Sequence, residues 1–172
     1  PAKERDFFEQ PARFRKWWPK LGDMFSVYGA SYLRPPAYPI ALDRVLEDGE
    51  SFDWKGFRFT GLSTPGHSPG HMAYLLERDG KTIAFTGGHF HDGAKLSTWF
   101  DSEWDYGFGK GIDALLESTD KLIANKPTLA FPSHGPPIAR ATRQLETFKK
   151  KLTVFRASYV RGYPVHKMKP EE

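Results

Sequence analysis

The sequence predicts an α/β fold, and three observations carry that prediction. Short strand-like runs separated by tight turns fill the middle of the chain. An amphipathic helix, a short apolar strand and a long helix follow them in alternation. Two rigid Gly/Pro loops, each carrying histidine, sit directly after strand-like runs, where functional loops of α/β proteins lie.

The elements follow in order. Residues 1–24 read as aromatic and helical: Phe7, Phe14, Trp17 or Trp18, and Leu21 recur as one buried helix face would. Pro11 and Pro19 break that run into two short helices, or a helix and a turn. Residues 34–39 hold three prolines and must be extended. Residues 52–54 and 57–62 read as a hairpin around Lys55-Gly56, with Phe57, Phe59 and Gly61 sharing one face. Residues 72–77 and 82–86 form a second strand pair around Arg78-Asp79-Gly80, and Ile83-Ala84-Phe85 suits a strand buried on both sides. Residues 111–125 place Ile112, Leu115, Leu116, Leu122 and Ile123 on one helix face, ended before Pro127. Residues 128–131 form a short buried strand. A long helix is expected from about Ile138 to Val160, begun by Pro136 and Pro137. Ile138, Ala141, Leu145, Phe148, Leu152, Phe155 and Tyr159 fit a helix laid on a sheet better than a coiled coil.

Composition excludes several classes. The 172 residues suit one domain. Within it we distinguish an aromatic helical or extended segment (1–44), a main α/β part (45–161) and a loose tail (162–172). Hydrophobic residues at 39% and aromatic residues at 15% argue against disorder. No apolar run approaches the ~20 residues that span a bilayer, so no membrane partner is expected. No secretion signal opens the chain, and the cytoplasm is the default compartment. The absence of Cys excludes disulfides and thiolate metal sites. The net charge of +4 is mild, and Lys149, Lys150 and Lys151 read as a solvated helix face. No concentrated basic stripe or base-stacking motif points to nucleic acid.

Five of the six histidines fall in three places: His67 and His71 in the first loop, His89 and His91 after the 82–86 strand, and His134 in the second loop. A single loop histidine is commonly incidental. Three strand-end loops that each offer an imidazole point to a metal such as zinc or iron. The flanking Pro and Gly residues would hold those ligands at little entropic cost. If the 82–86 strand continues, His89 and His91 face one way and would share a metal.

Thr64-Pro-Gly-His-Ser-Pro-Gly-His71, then Ala84-Phe-Thr-Gly-Gly88, then Pro132-Ser-His-Gly135 resemble, in order and spacing, the second half of the metallo-β-lactamase superfamily. The resemblance covers residues 45–137, and the following helix fits it. It implies half of an αβ/βα sandwich, a mixed sheet with flanking helices. It also implies one or two metal ions in the complete protein, zinc or alternatively iron or manganese. By position, His67 matches a ligand of the first metal and His134 a ligand of the second. His91, His89, Asp92 and His71 are further candidates for ligands or site-lining groups, with His91 or Asp92 partly replacing a carboxylate. Trp99, Trp104 and Tyr106 would wall a substrate pocket, or pack their loop against the core.

The sequence departs from the family pattern twice. Gly88 stands where the family has a bridging Asp. No HxHxDH motif precedes the first loop, since no His precedes His67. Together with the absent initiator Met, this leads us to expect a C-terminal portion of a longer enzyme. The sheet face covered by the other half would then be closed by that half, or by a second copy of this chain.

The resemblance implies a metal-dependent hydrolase in which metal-bound hydroxide attacks an ester, thioester, amide or phosphodiester of a small-molecule substrate. The alternative is a non-catalytic module of the same fold with a degraded metal site, serving binding or assembly.

Overall fold

A computed structural model describes residues 1–13, 36–96 and 110–162. The chain divides into two units, Pro1–Leu46 and Glu47–Glu172. The first contains a 3-10 turn (Ala2–Glu4) and a short helix α1 (Arg5–Glu9). The chain leaves the regular helix at Gln10 and resumes a helical turn at Pro11, so the break falls where the proline predicts it. Within this unit Ala2 N–H donates to Leu46 O and Ile40 N–H to Phe8 O, both at 2.9 Å. Of the proposed aromatic face only Phe7 is described, half-buried against Phe8. Phe14, Trp17, Trp18 and Leu21 lie outside the described residues.

The second unit is a six-stranded mixed sheet in the order β1 to β6. β1 (Ser51–Trp54), β2 (Phe57–Ser63), β3 (Met72–Arg78) and β4 (Lys81–Gly87) form an antiparallel meander. Its two-residue turns are Lys55-Gly56 and Asp79-Gly80, with all four residues at positive φ. That backbone matches the twist of the flanking strands. Helix α2 (Lys110–Ala124) precedes β5 (Leu129–Pro132), which pairs parallel with β4. β6 (Ile138–Ala139) returns antiparallel to β5, and helix α3 (Ala141–Gly162) closes the unit.

The long helix therefore starts at Ala141. The two prolines do not begin it, and Ile138 belongs to a strand. Arg140, at φ 53°, turns the chain between the two elements.

One sheet face is built small to receive the helices. Ala73, Ala84 and Ala130 are fully buried there against Leu115, Leu122, Leu145, Phe148 and Leu152. Small residues on the sheet leave room for the large ones on the helices. The opposite face is aromatic. Phe52 stacks on Phe59 at 5.3 Å, Phe59 meets Phe85 at 5.9 Å, and Phe85 stacks on Phe131 at 5.3 Å. Phe85 and Ile83 are only half-buried, so β4 is fully buried on the helix face alone.

Three basic residues of α3 are engaged. Lys149 pairs with Asp120 at 2.5 Å and Arg156 with Asp113, tying α3 to α2, while Lys151 donates to a loop described below. Among the described residues no helix is long and apolar enough to cross a membrane.

Candidate metal-ligand loops at one sheet edge

Strand direction brings the histidines together. β2 and β4 are both antiparallel to β3 and so run the same way, and β5 runs parallel to β4. The C-terminal ends of all three open at one sheet edge. Past β2 comes the loop with His67 and His71, past β4 the turn with His89 and His91, and past β5 the loop with His134.

The first loop is pressed onto α2. A Cβ at Gly66 would lie 2.8 Å from the Cα and Cβ of Leu115, and Gly66 sits at φ +137°. Only glycine meets both conditions there. Ser118 Oγ donates to Pro65 O at 2.7 Å beside this approach. Across the loop, Thr64 N–H donates to His71 O at 2.9 Å.

His71 is buried, and its Nδ1 lies 2.9 Å from both Thr64 O and Thr64 Oγ1. A carbonyl oxygen only accepts, so Nδ1 carries the proton. Burial, with a smaller contribution from the charge of nearby His67, lowers the His71 pKa to about 4. The ring is therefore neutral at pH 7. Its Nε2 faces Gly87, 2.7 Å from where a Cβ would stand.

β4 ends at Gly87, which adopts φ +54°. The strand does not continue, so His89 and His91 do not face the same way, contrary to the two-residue spacing. His89 turns inward and is fully buried between Phe90 and Phe148, with ring separations of 6.3 and 5.9 Å. Thr119 Oγ1 donates to Leu115 O at 2.7 Å, so it accepts from His89 Nε2 at 3.0 Å. That leaves Nδ1 as a buried lone pair without a partner, as is Thr86 Oγ1. Burial, then the charges of His71 and His67, lower the His89 pKa well below its ordinary value. His89 is part of the core in this structure.

His91 turns outward. Its Nδ1 lies 3.0 Å from His134 O, and the two rings are 6.1 Å apart. Asp92 Oδ1 accepts from Gln144 Nε2 at 3.0 Å, which draws the carboxylate toward α3. Gly88 faces the other loop: a Cβ there would meet His67 Cε1 and Nε2 at 2.7 Å. The β4 turn thus touches both loops, His67 through Gly88 and His134 through His91. Its own start is tied to β5, since Ser133 N–H donates to Gly87 O at 2.9 Å.

Among the described residues no three His, Asp or Glu side chains converge as a metal site. The donor chemistry of His67 and His134, imidazoles on braced strand-end loops, fits a partial ligand set for zinc or a similar ion. Trp99, Trp104 and Tyr106 lie outside the described residues. The sequence reading missed Thr64, Ser118 and Thr119, the polar residues that brace the loops. The two on α2 sit within its buried stripe, where a hydroxyl among apolar residues is the available signal.

The fold and these loops define a metallo-β-lactamase-type half-sandwich. The metallo-beta-lactamase superfamily model matches residues 4–134, and the chain belongs to that superfamily. A hydroxyacylglutathione hydrolase of Brucella anthropi is 38% identical over 63 residues, covering 35% of this chain and 24% of its own. An atrochrysone carboxyl ACP thioesterase of Cryptosporiopsis is 26% identical over 129 residues, covering 69% and 34%. A metallo-beta-lactamase family protein of Thermus thermophilus shares the fold at TM-score 0.60 and 24% identity, over 89% of this chain and 50% of that one. The chain thus spans about a third or less of these curated relatives and half of that solved structure.

Proposed function

We propose that this chain supplies His67 and His134 to the metal centre of a hydrolase that cleaves thioesters, the remaining ligands coming from outside the chain. One observation carries the reading. The β4 turn contacts both loops at a shared sheet edge, with Gly88 against His67 and His91 hydrogen-bonded to His134. Thioester chemistry is favoured because one similar protein is named a thioesterase and another a hydroxyacylglutathione hydrolase. A bound zinc, iron or manganese ion supplies Lewis acidity and lowers the pKa of water from 15.7 to about 7. The chain's own residues present two imidazoles and brace their loops through Thr64, Ser118 and His91.

Gly88 favours a second reading, a binding module of the same fold without catalysis. No carboxylate stands at that position, and the His67 ring borders the space one would enter.

Elemental mass spectrometry of the purified chain after zinc supplementation separates the two. The hydrolase reading expects bound metal that is lost in both His67→Ala and His134→Ala. Metal retained in both variants overturns it.

A further inference from the structure

We propose that His91 is a positioning residue for the His134 loop, and that Gln144 and Lys151 of α3 hold it in place for that task. The inference rests on the reading of His134 as a metal ligand only for its consequence, not for its geometry.

The geometry starts at one hydrogen bond across 43 residues of sequence. His91 Nδ1 lies 3.0 Å from the backbone carbonyl oxygen of His134. The oxygen can only accept, so His91 Nδ1 is protonated and donates. His134 itself is exposed and next to Gly135, which sits at φ +88°. Exposed turns of this kind are ordinarily the most mobile part of a fold. Here, among the described residues, two anchors hold the turn, both from the end of β4. Ser133 N–H is held by Gly87 O at 2.9 Å, and His134 O is held by His91.

An anchor restrains only if it is itself fixed. The His91 and Lys95 backbones exchange both hydrogen bonds, at 2.9 and 3.1 Å, and so close a five-residue loop. Inside it Gly93 and Ala94 adopt φ +77° and +53°, which turns their N–H groups the same way. Gln144 Oε1 accepts both, at 2.9 and 3.1 Å, while Gln144 Nε2 donates to Asp92 Oδ1 at 3.0 Å. Lys151 Nζ donates to Gly93 O and Ala94 O at 2.8 and 3.0 Å. Residues 144 and 151 lie two turns apart and so share one face of α3. Two side chains of one helix thus make five hydrogen bonds to a three-residue stretch. The loop is clamped to the long helix, and His91 transmits that rigidity to His134. A ligand whose backbone is fixed loses less freedom when it takes a metal.

The test uses the full chain with three variants, His91→Ala, His91→Asn and Gln144→Ala. The Asn side-chain amide can replace Nδ1 as donor to His134 O but offers no imidazole. In the metal-free protein, exchange of the Ser133 amide and 15N order parameters at His134 and Gly135 read the loop directly. Zinc affinity is read in parallel by chelator competition. His91→Ala is expected to loosen residues 133–135 while the Ala130 amide is unchanged, and to weaken zinc binding about tenfold. His91→Asn is expected to keep both near the parent, and Gln144→Ala to show a smaller form of the alanine effect. The proposal is overturned if His91→Ala leaves residues 133–135 as ordered as in the parent. It is also overturned if His91→Asn weakens zinc as much as His91→Ala, since the imidazole would then act as a ligand. A parent chain that binds no zinc, with a loop that loosens in His91→Ala, upholds the positioning role and means that the metal is held only once the outside ligands are present.

Discussion

The five strand-end histidines divide into an inner group and an outer pair. His67, His71 and His89 form a row of rings, 5.5 Å from His67 to His71 and 6.2 Å from His71 to His89. The row passes from the sheet edge into the core. His91 and His134 lie 6.1 Å apart at the solvent side of the same edge. All five sit on similar loops in sequence. In the inner group burial dominates: His71 is spent on bracing its own loop, and His89 on packing and a bond to Thr119. In the outer pair a carbonyl contact dominates, and the rings stay near water. Imidazoles on similar loops thus end up buried or near water according to the direction in which each strand end turns.

The sharpest way to break the inner group is at its support. Gly66→Ala puts a methyl carbon 2.8 Å from the Leu115 backbone at a φ that side chains avoid. Overpacking and backbone strain together should cost about 3 kcal/mol or more in chemical unfolding. A loss below about 1 kcal/mol would mean that the loop can lift off α2, and that the inner row is softer than its burial implies.

Acid should act next most strongly, through His71 and His89. The His71 pKa is lowered to about 4 in the folded chain from 6.5, so between those values the unfolded chain binds more protons. Stability therefore rises with pH across that window, is complete above about 6.5, and is lost as pH falls toward 4. For His71 alone the loss approaches about 3 kcal/mol, and the lowered His89 acts in the same direction. Urea midpoints of the metal-free chain measured from pH 7.5 to 4 should fall accordingly. The fall should be shallower in His71→Asn, whose amide still donates to Thr64 O. An equal fall in parent and variant would mean that His71 does not set the acid sensitivity.

His89 tests whether the innermost ring is packing or site. His89→Ala should cost about 2–3 kcal/mol through the cavity it leaves between Phe90 and Phe148. His89→Leu should cost under about 1 kcal/mol, because Thr119 Oγ1 keeps its donor bond to Leu115 O and an unpartnered nitrogen is removed. A His89→Leu chain that unfolds normally but has lost bound metal would move His89 into the site.

Much of this is legible from residue order, and the failures have specific causes. Period-two patterning and the Lys55-Gly56 and Asp79-Gly80 turns locate the four-strand meander closely, since those turns need the left-handed backbone they show. Ile138 reads as part of the long helix because it is apolar and falls three residues before Ala141. Burial at that spacing is equally met by a residue of β6, and only the turn at Arg140 separates the two. His89 and His91 look alike because strand alternation assumes a continuing strand, and the positive φ of Gly87 ends it. Gln144 and Lys151 carry no local signal. Their partners lie 50 or more residues away, and on a helix they read as ordinary solvated positions.

The smallest expected effect bears most directly on how inner and outer histidines meet. Gly88 is the hinge between the groups, and its backbone needs no glycine for conformational reasons, since only the space beside it is taken. That space is bordered by the far end of the His67 ring, Cε1 and Nε2, which swings about two side-chain bonds. Gly88→Ala should therefore cost no more than about 1 kcal/mol, yet shift the His67 ring resonances clearly while those of His134 hold. Gly88→Asp makes the same steric demand and adds the carboxylate that the family pattern has at this position. If Ala alone moves His67 and Asp then raises zinc affinity above the Ala level, the site lacks a ligand but keeps its frame. If Ala leaves the His67 resonances in place, His67 already points elsewhere in solution, and the β4 turn does not join the two loops through Gly88.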